Sequence, residues 1–212
     1  MTAARQQPDA LLLDLDGVLR VFDPSVVETV ERDFGLPAGA LTVSAFAWGR
    51  IQPALVGQVS HEDWLDAIAT DLAEVAGGIK PARAAVAQWQ VDRGQVVPEL
   101  LAFVREIRAS GVPVALATNA TTILDQDLAR LGLSGEFDVV VNSSLVGAHK
   151  PSPEFFAAAT TAVRIPPGRC LFVDDDDRHI RGARVAGLSA YRWNGPADLP
   201  YVRAALTGRV PG

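Results

Sequence analysis

Five short apolar runs constrain the fold of this chain most: ALLLDL at 10–15, VPVALAT at 112–118, FDVVVNS at 137–143, CLFVD at 170–174 and LSAYRW at 188–193. Each is nearly continuous in hydrophobicity, as expected of strands covered on both faces by helices. Helical patterns lie between them: PELLAFVREIRASG at 98–111, TTILDQDLARLGL at 121–133, PEFFAAATTAV at 153–163 and HIRGARVAGL at 179–188. The first of these ends on Gly111, a residue suited to a helix C-cap. Strand–helix alternation through 95–212 predicts right-handed crossovers and an α/β fold with a parallel, doubly wound sheet.

Residues 20–94 break that rhythm and read as wholly helical. The patterns are PSVVETVERDFG at 24–35, a stretch over roughly 38–48, HEDWLDAIATDLAEVAGG at 61–78 and KPARAAVAQWQVDRG at 80–94. Ser60 with Asp63 three residues on resembles a capping box opening the third. The block holds Trp48, Trp64 and Trp89, three of the four tryptophans. The expected organisation is therefore a core of 1–19 and 95–212 with a small helical domain, 20–94, inserted after the first strand. No internal repeat or low-complexity tract interrupts it.

With 212 residues, 49% of them hydrophobic, the chain can build its core without covalent staples. The single cysteine, Cys170, excludes a disulfide framework and suits a reducing cytosol. The N-terminal MTAARQQPDA has no apolar signal segment and no run is long enough to cross a bilayer, so a soluble cytoplasmic protein is expected. A net charge of −6 and the lack of a basic stripe argue against nucleic acid as a ligand. The only lysines are Lys80 and Lys150, in a chain that otherwise uses arginine.

Polar groups gather where the strands end. The first run closes in DLDGVL, where Asp14 and Asp16 share a face by the two-residue period of extended chain and Gly17 permits a sharp turn. Acids capping loop amides are the plainer reading. Thr118 and Asn119 end the second run, as a helix N-cap or as an oxyanion and phosphate site. Lys150 follows the third in GAHKPSPEFF, where Pro151 fixes the backbone and displays the ammonium at a helix entrance. The fourth ends in four aspartates, Asp174 to Asp177. In open α/β sheets ligands bind beyond the carboxyl ends of the strands. Carboxylates, a hydroxyl, an ammonium and carboxylates again, in that order, are more telling together than singly.

In this order DLDGV at 14–18, ATN at 117–119, HKPSPEFF at 149–156 and FVDDDDRHIRGARVAG at 172–187 resemble the four motifs of the haloacid dehalogenase-like hydrolase superfamily. The resemblance covers 10–19 and about 95–195, with the helical insertion where one class of that family carries its cap. It implies a Rossmann-like core and a Mg²⁺-dependent phosphatase acting on a small phosphorylated molecule, as a monomer or homodimer, with no nucleic acid or membrane partner. It further implies Asp14 as nucleophile, Asp16 as general acid/base, Thr118 and the Asn119 backbone on phosphoryl oxygens, and Lys150 offsetting their charge. Mg²⁺ would be held by Asp14, the carbonyl of Asp16 and Asp175, with Asp174 helping through water. A hard cation with few protein carboxylates and a lysine suits phosphoryl transfer, which rests on positioning and charge neutralisation.

Within that family Asp16 favours phosphate esters over carbon–halogen bonds, because a halide leaves unprotonated. A mutase of the β-phosphoglucomutase kind keeps both aspartates and stays open, as does a catalytically silent binding protein. A response-regulator receiver also gathers acids, Thr and Lys-Pro, but its lysine follows the acids, whereas here an aspartate pair follows Lys150. One position departs from the family: His179 stands where Asp or Asn usually helps hold the lysine, and a neutral imidazole accepting from Lys150 is the expected substitute. Arg20, Arg50, His61, Trp48 and Trp89 are candidates for the leaving group, with Arg20 nearest the DLDGVL turn; core packing is the plainer reading for the tryptophans, and a first-turn place in the helix capped by Ser60 for His61. Asp176 and Asp177 are expected to open the next helix, where its positive end steadies them.

Overall fold

The computed structural model describes residues 7–207. Strand β1 (Ala10–Leu13) is followed by a short extended pair, β2 (Arg20–Val21). Five helices then come in succession: α1 (Pro24–Asp33), α2 (Ala40–Ala45), α3 (Trp48–Leu55), α4 (His61–Leu72) and α5 (Ile79–Trp89). After β3 (Gln95–Val96), strand and helix alternate through α6 (Pro98–Ala109), β4 (Val114–Thr118), α7 (Leu124–Arg130), β5 (Val139–Asn142), α8 (Ser143–Val146) and α9 (Pro153–Val163). The chain continues with β6 (Cys170–Asp174), α10 (Asp177–Val185), β7 (Ser189–Arg192) and α11 (Leu199–Thr207).

The main sheet runs β5-β4-β1-β6-β7, with every neighbouring pair parallel. Period-two geometry divides each strand between two cores. Leu11, Leu13, Leu116 and Val173 pack under α6 and α11 with Phe103, Val104, Val202 and Leu206. Leu12, Ala115 and Phe172 pack against Phe155, Phe156 and Ile180 on the other face. Burying a Leu or Phe contributes about 1.5–3 kcal/mol. That offsets the roughly 1–2 kcal/mol of backbone entropy its residue loses. The chain steps from β1 to the β4 side, while β6 joins β1 on the other side. A crevice therefore opens beyond the carboxyl ends of β1 and β6.

Helices α1–α5 enclose a third apolar cluster, including Val30, Leu41, Trp64, Ile68 and Val86. Ser60 and Asp63 form the expected capping box at α4, with Asp63 N donating to Ser60 Oγ (3.0 Å) and Ser60 N to Asp63 Oδ2 (3.3 Å).

The segment is not wholly helical. Arg20–Val21 pair antiparallel with Gln95–Val96, so the two crossings between sheet and helices are hydrogen-bonded into one ribbon. The helix expected over roughly 38–48 is α2 alone, with α3 beginning where it was expected to end, and the one over 80–94 stops at Trp89. The helix expected over 121–133 contracts to Leu124–Arg130, because the backbone of Ala120 and Thr121 bonds to Ser143 and Asn142 instead. Among the described residues no helix is long and apolar enough to cross a membrane.

Candidate active site

Asp14 and Asp174 extend neighbouring strands whose preceding residues, Leu13 and Val173, are in register. Their carboxylates are thereby delivered side by side. Lys150 enters from the far side, its Nζ 2.7 Å from Asp14 Oδ1 and 2.6 Å from Asp174 Oδ2. The ammonium is not displayed at a helix entrance as expected: Lys150 is 1% exposed, and α9 begins three residues later at Pro153, capped by Ser152. An ammonium so deeply buried must be paired. Two carboxylates and the Phe172 ring 5.4 Å away supply its surroundings.

The Asn119 side chain holds the lysine's own backbone. Its Oδ1 accepts from Lys150 N (2.7 Å) and its Nδ2 donates to Lys150 O (3.0 Å). Thr118 is buried at the end of β4 beside it.

Asp174 is 0% exposed, and both of its oxygens accept hydrogen bonds. Oδ2 takes Lys150, and Oδ1 takes the Asp176 amide (2.8 Å). His179 does not meet the ammonium as expected. Its Nδ1 lies 3.0 and 3.1 Å from the two Asp174 oxygens, so the imidazole acts on Lys150 only through Asp174. An ionised carboxylate is an acceptor only, so Nδ1 is the donor.

Asp175 is exposed beyond the strand and lies against the DLDGVL loop. Gly17 makes this approach possible. It has φ +79°, and a Cβ there would stand 2.2 Å from Asp175 Oδ2. Asp176 caps α10 through the Arg178 amide (2.7 Å), and Asp177 pairs with Arg181 (2.7 Å). The four aspartates thus divide into a lysine anchor, an exposed acid against the Gly17 turn, a cap and a first-turn residue.

One lysine serves two buried acids. Burial pushes the Asp14 carboxyl up to about 8, with the Asp174 and Asp16 charges adding to the rise against Lys150. Burial presses on Asp174 too, but Lys150 and His179 hold it below its ordinary range. Burial and Asp174 raise Asp175. This cluster carries more negative charge than Lys150 balances. Among the described residues, Asp14, Asp174 and His179 present ligand atoms within 4.8 Å of one another.

Asp16 points into the cleft. Arg20 grips it with two bonds, Nε to Oδ1 (2.5 Å) and Nη2 to Oδ2 (3.0 Å). The same guanidinium reaches Asp127 Oδ2 on α7 (3.1 Å), and Asp127 also pairs with Arg93. Arg20 therefore lines the cleft with its charge already matched, rather than overhanging it free. Asp127 and Arg93 carried no motif; in sequence they are an acid inside a helix pattern and a basic residue before a glycine.

The cleft has a volume of about 740 Å³ between the helical segment and the strand ends. Trp48, Trp89 and His61 line it. Arg50 instead pairs with Asp71 (3.0 Å) and bonds to Ser44. His61 docks the start of α4 on the loop after β4, its N donating to Thr122 Oγ1 (3.1 Å) and its Nδ1 lying 2.8 Å from Thr121 Oγ1.

A family model described as haloacid dehalogenase-like hydrolase matches residues 8–187. The chain is 31% identical over 188 residues to Phosphatase MT3486 of Mycobacterium tuberculosis, covering 86% of this chain and 85% of that protein. It is 30% identical over 216 residues to the phosphoserine phosphatase of Thermus thermophilus, covering 85% and 86%. The HAD family enzyme BT-2542 of Bacteroides thetaiotaomicron, in its magnesium complex, superposes with a TM-score of 0.73 at 20% identity, covering 93% of this chain and 99% of that one.

Proposed function

Since this chain belongs to the haloacid dehalogenase-like hydrolase family, we propose that it is a Mg²⁺-dependent phosphatase that hydrolyses a small phosphate monoester through an aspartyl-phosphate. The observation that carries this reading is the pair of acids at the end of β1. Asp14 is buried against Lys150, and Asp16 is held toward the cleft by Arg20. Displacing an alcohol needs both a nucleophile and a group that protonates the leaving oxygen.

The Asp14 carboxylate attacks phosphorus, and the ester oxygen departs with a proton from Asp16. Asp16 then takes a proton from water as that water attacks the aspartyl-phosphate, which releases phosphate and restores both acids. Lys150 offsets charge on Asp14 and on the phosphoryl group. Thr118 and Asn119 border the place where that group must lie, and the Asn119 side chain keeps Lys150 in position.

The donor set fits the metal. Asp14 and Asp175 offer hard oxygen ligands, and the two buried acids, Asp14 and Asp174, exceed the single ammonium between them. Asp14, the Asp16 carbonyl and Asp175 would hold Mg²⁺, which supplies charge neutralisation at the phosphoryl oxygens and favours ionised Asp14. The magnesium complex of the Bacteroides enzyme and the phosphatase relatives support the same reading. Residues 20–94 serve as the cap that selects the leaving group, because Lys150 and the aspartates address only phosphate and metal.

Purified protein with Mg²⁺ should hydrolyse p-nitrophenyl phosphate. Asp14→Asn should lose at least about 10³-fold in kcat while keeping its circular dichroism spectrum. Chelation should silence the wild type, and added Mg²⁺ should restore it. Full turnover by Asp14→Asn, or in the presence of chelator, defeats the assignment. A hexose 1-phosphate converted to the 6-phosphate without phosphate release would instead identify a mutase.

A further inference from the structure

We propose that the leaving group taken by this cleft is an extended, uncharged alcohol with a planar aromatic body. The proposal rests on the phosphatase reading and specifies its substrate class. Three observations on different properties support it.

The first is size. Clefts of about 300–1,000 Å³ enclose drug-sized ligands, and this one has about 740 Å³. A two- or three-carbon leaving group would leave most of that volume to water.

The second is the kind of surface. Trp64 and Trp89 form part of the wall, in edge contact with their centroids 6.0 Å apart. At the cleft also stand Trp48, Phe46 and Phe22, which are 62%, 58% and 48% exposed. Large rings left in water cost free energy unless something covers them, and these three share one cleft. Trp48 stands against the segment that carries Lys150. Its ring meets His149 edge-on at 5.3 Å, and His149 is the residue before Lys150. An aromatic group attached near the ester oxygen would therefore find a face to stack on.

The third is charge. A carboxylate or second phosphate on the leaving group needs an unmatched cation, and none of the arginines or lysines among the described residues lining the cleft offers one. Arg20 is matched by Asp16 and Asp127, Arg93 by Asp127, and Lys150 by Asp14 and Asp174. Arg178 pairs with Asp176 at the solvent edge. His61 adds no charge, since burial and then Arg93 push it below its ordinary value. Asp23 and Asp92 stand at the same cleft and would repel an anion.

The test compares two esters with the same kind of leaving atom, 2-(1-naphthyl)ethyl phosphate and ethyl phosphate, alongside anionic phosphoserine and phosphoglycolate. With Mg²⁺ present, kcat/KM should favour the naphthylethyl ester by about tenfold or more. Trp48→Ala should shrink that ratio by about tenfold; its ring is exposed, so the fold should tolerate the change. Calorimetric binding of both esters to Asp14→Asn reads the preference without turnover, and the same order is expected. Equal affinity, or preference for ethyl phosphate, phosphoserine or phosphoglycolate, overturns the substrate class and leaves the phosphatase reading standing. Tight naphthylethyl binding with no turnover of any ester by the wild type upholds the cleft's preference and defeats the phosphatase reading.

Discussion

Arg20 opens β2 with its guanidinium between Asp16 and Asp127, nearly excluded from water. A bidentate arginine fixes a carboxylate's direction as well as its charge. In the proposed mechanism it therefore governs where Asp16 puts its proton. Lysine at this position would keep the charge and lose the fork. Arg20→Lys should consequently lower kcat for an alkyl phosphate, which needs a proton on its leaving oxygen, by about 10–100-fold. It should lower kcat several-fold less for p-nitrophenyl phosphate, whose leaving group departs readily as an anion. Equal losses on the two substrates would mean that Arg20 only supports the fold. The DLDGVLR string puts Arg20 near Asp14, but only the folded chain brings Asp127 within reach of it, 107 positions away.

Among the elements, α10 shows how helix packing sets the charge cluster. Gly182 lies in its interior, where glycine usually lowers stability by about 1 kcal/mol relative to alanine. Here a Cβ would meet the Cβ and carbonyl oxygen of Pro151, each at 2.6 Å. Overpacking of that kind costs roughly 1–3 kcal/mol and outweighs the propensity gain. Gly182→Ala should thus lower the thermal midpoint. It should also reduce turnover, because α10 carries His179 against Asp174 while Pro151 adjoins Lys150. A stabilised, fully active variant would show that the two segments separate freely. The helix itself was legible from HIRGARVAGL, and its start from the acids before it. The contact that makes Gly182 necessary was not, since Pro151 belongs to a different loop.

For the whole molecule, the sheet's outer layer is joined by carboxylates whose partners lie far along the chain. Arg108 donates to Asp138 Oδ1 (2.9 and 3.1 Å), and Asp138 Oδ2 accepts from the Val114 amide (2.8 Å), tying α6 and β4 to the start of β5. Arg105 clasps Glu136, and Arg203 clasps Glu106. In each, the arginine holds the carboxyl below its ordinary value. A depressed carboxyl stabilises the fold at pH values above its unfolded pKa and loses that contribution as pH falls through its folded value. Stability should accordingly decline below about pH 4. Being exposed, these pairs are individually weak. Thermal melts from pH 7 to 3, with Asp138→Asn beside the wild type, check this: the variant should start lower and show a shallower acid decline. Parallel curves would remove Asp138 from the account.

The sequence alone determined the layered α/β architecture and the order of its polar stations, because those depend on local periodicity and on strand ends that a parallel sheet must bring to one edge. The family resemblance and the position of the helical insertion followed from the same strings. Tertiary structure alone decided that Lys150 is sealed between Asp14 and Asp174, that His179 serves Asp174 rather than the ammonium, and that the arginines of the cleft are already matched. It also brought Trp64 of the insertion onto the cleft. Such outcomes depend on which charges share a low-dielectric space and which rings remain uncovered, and distance along the chain does not encode either.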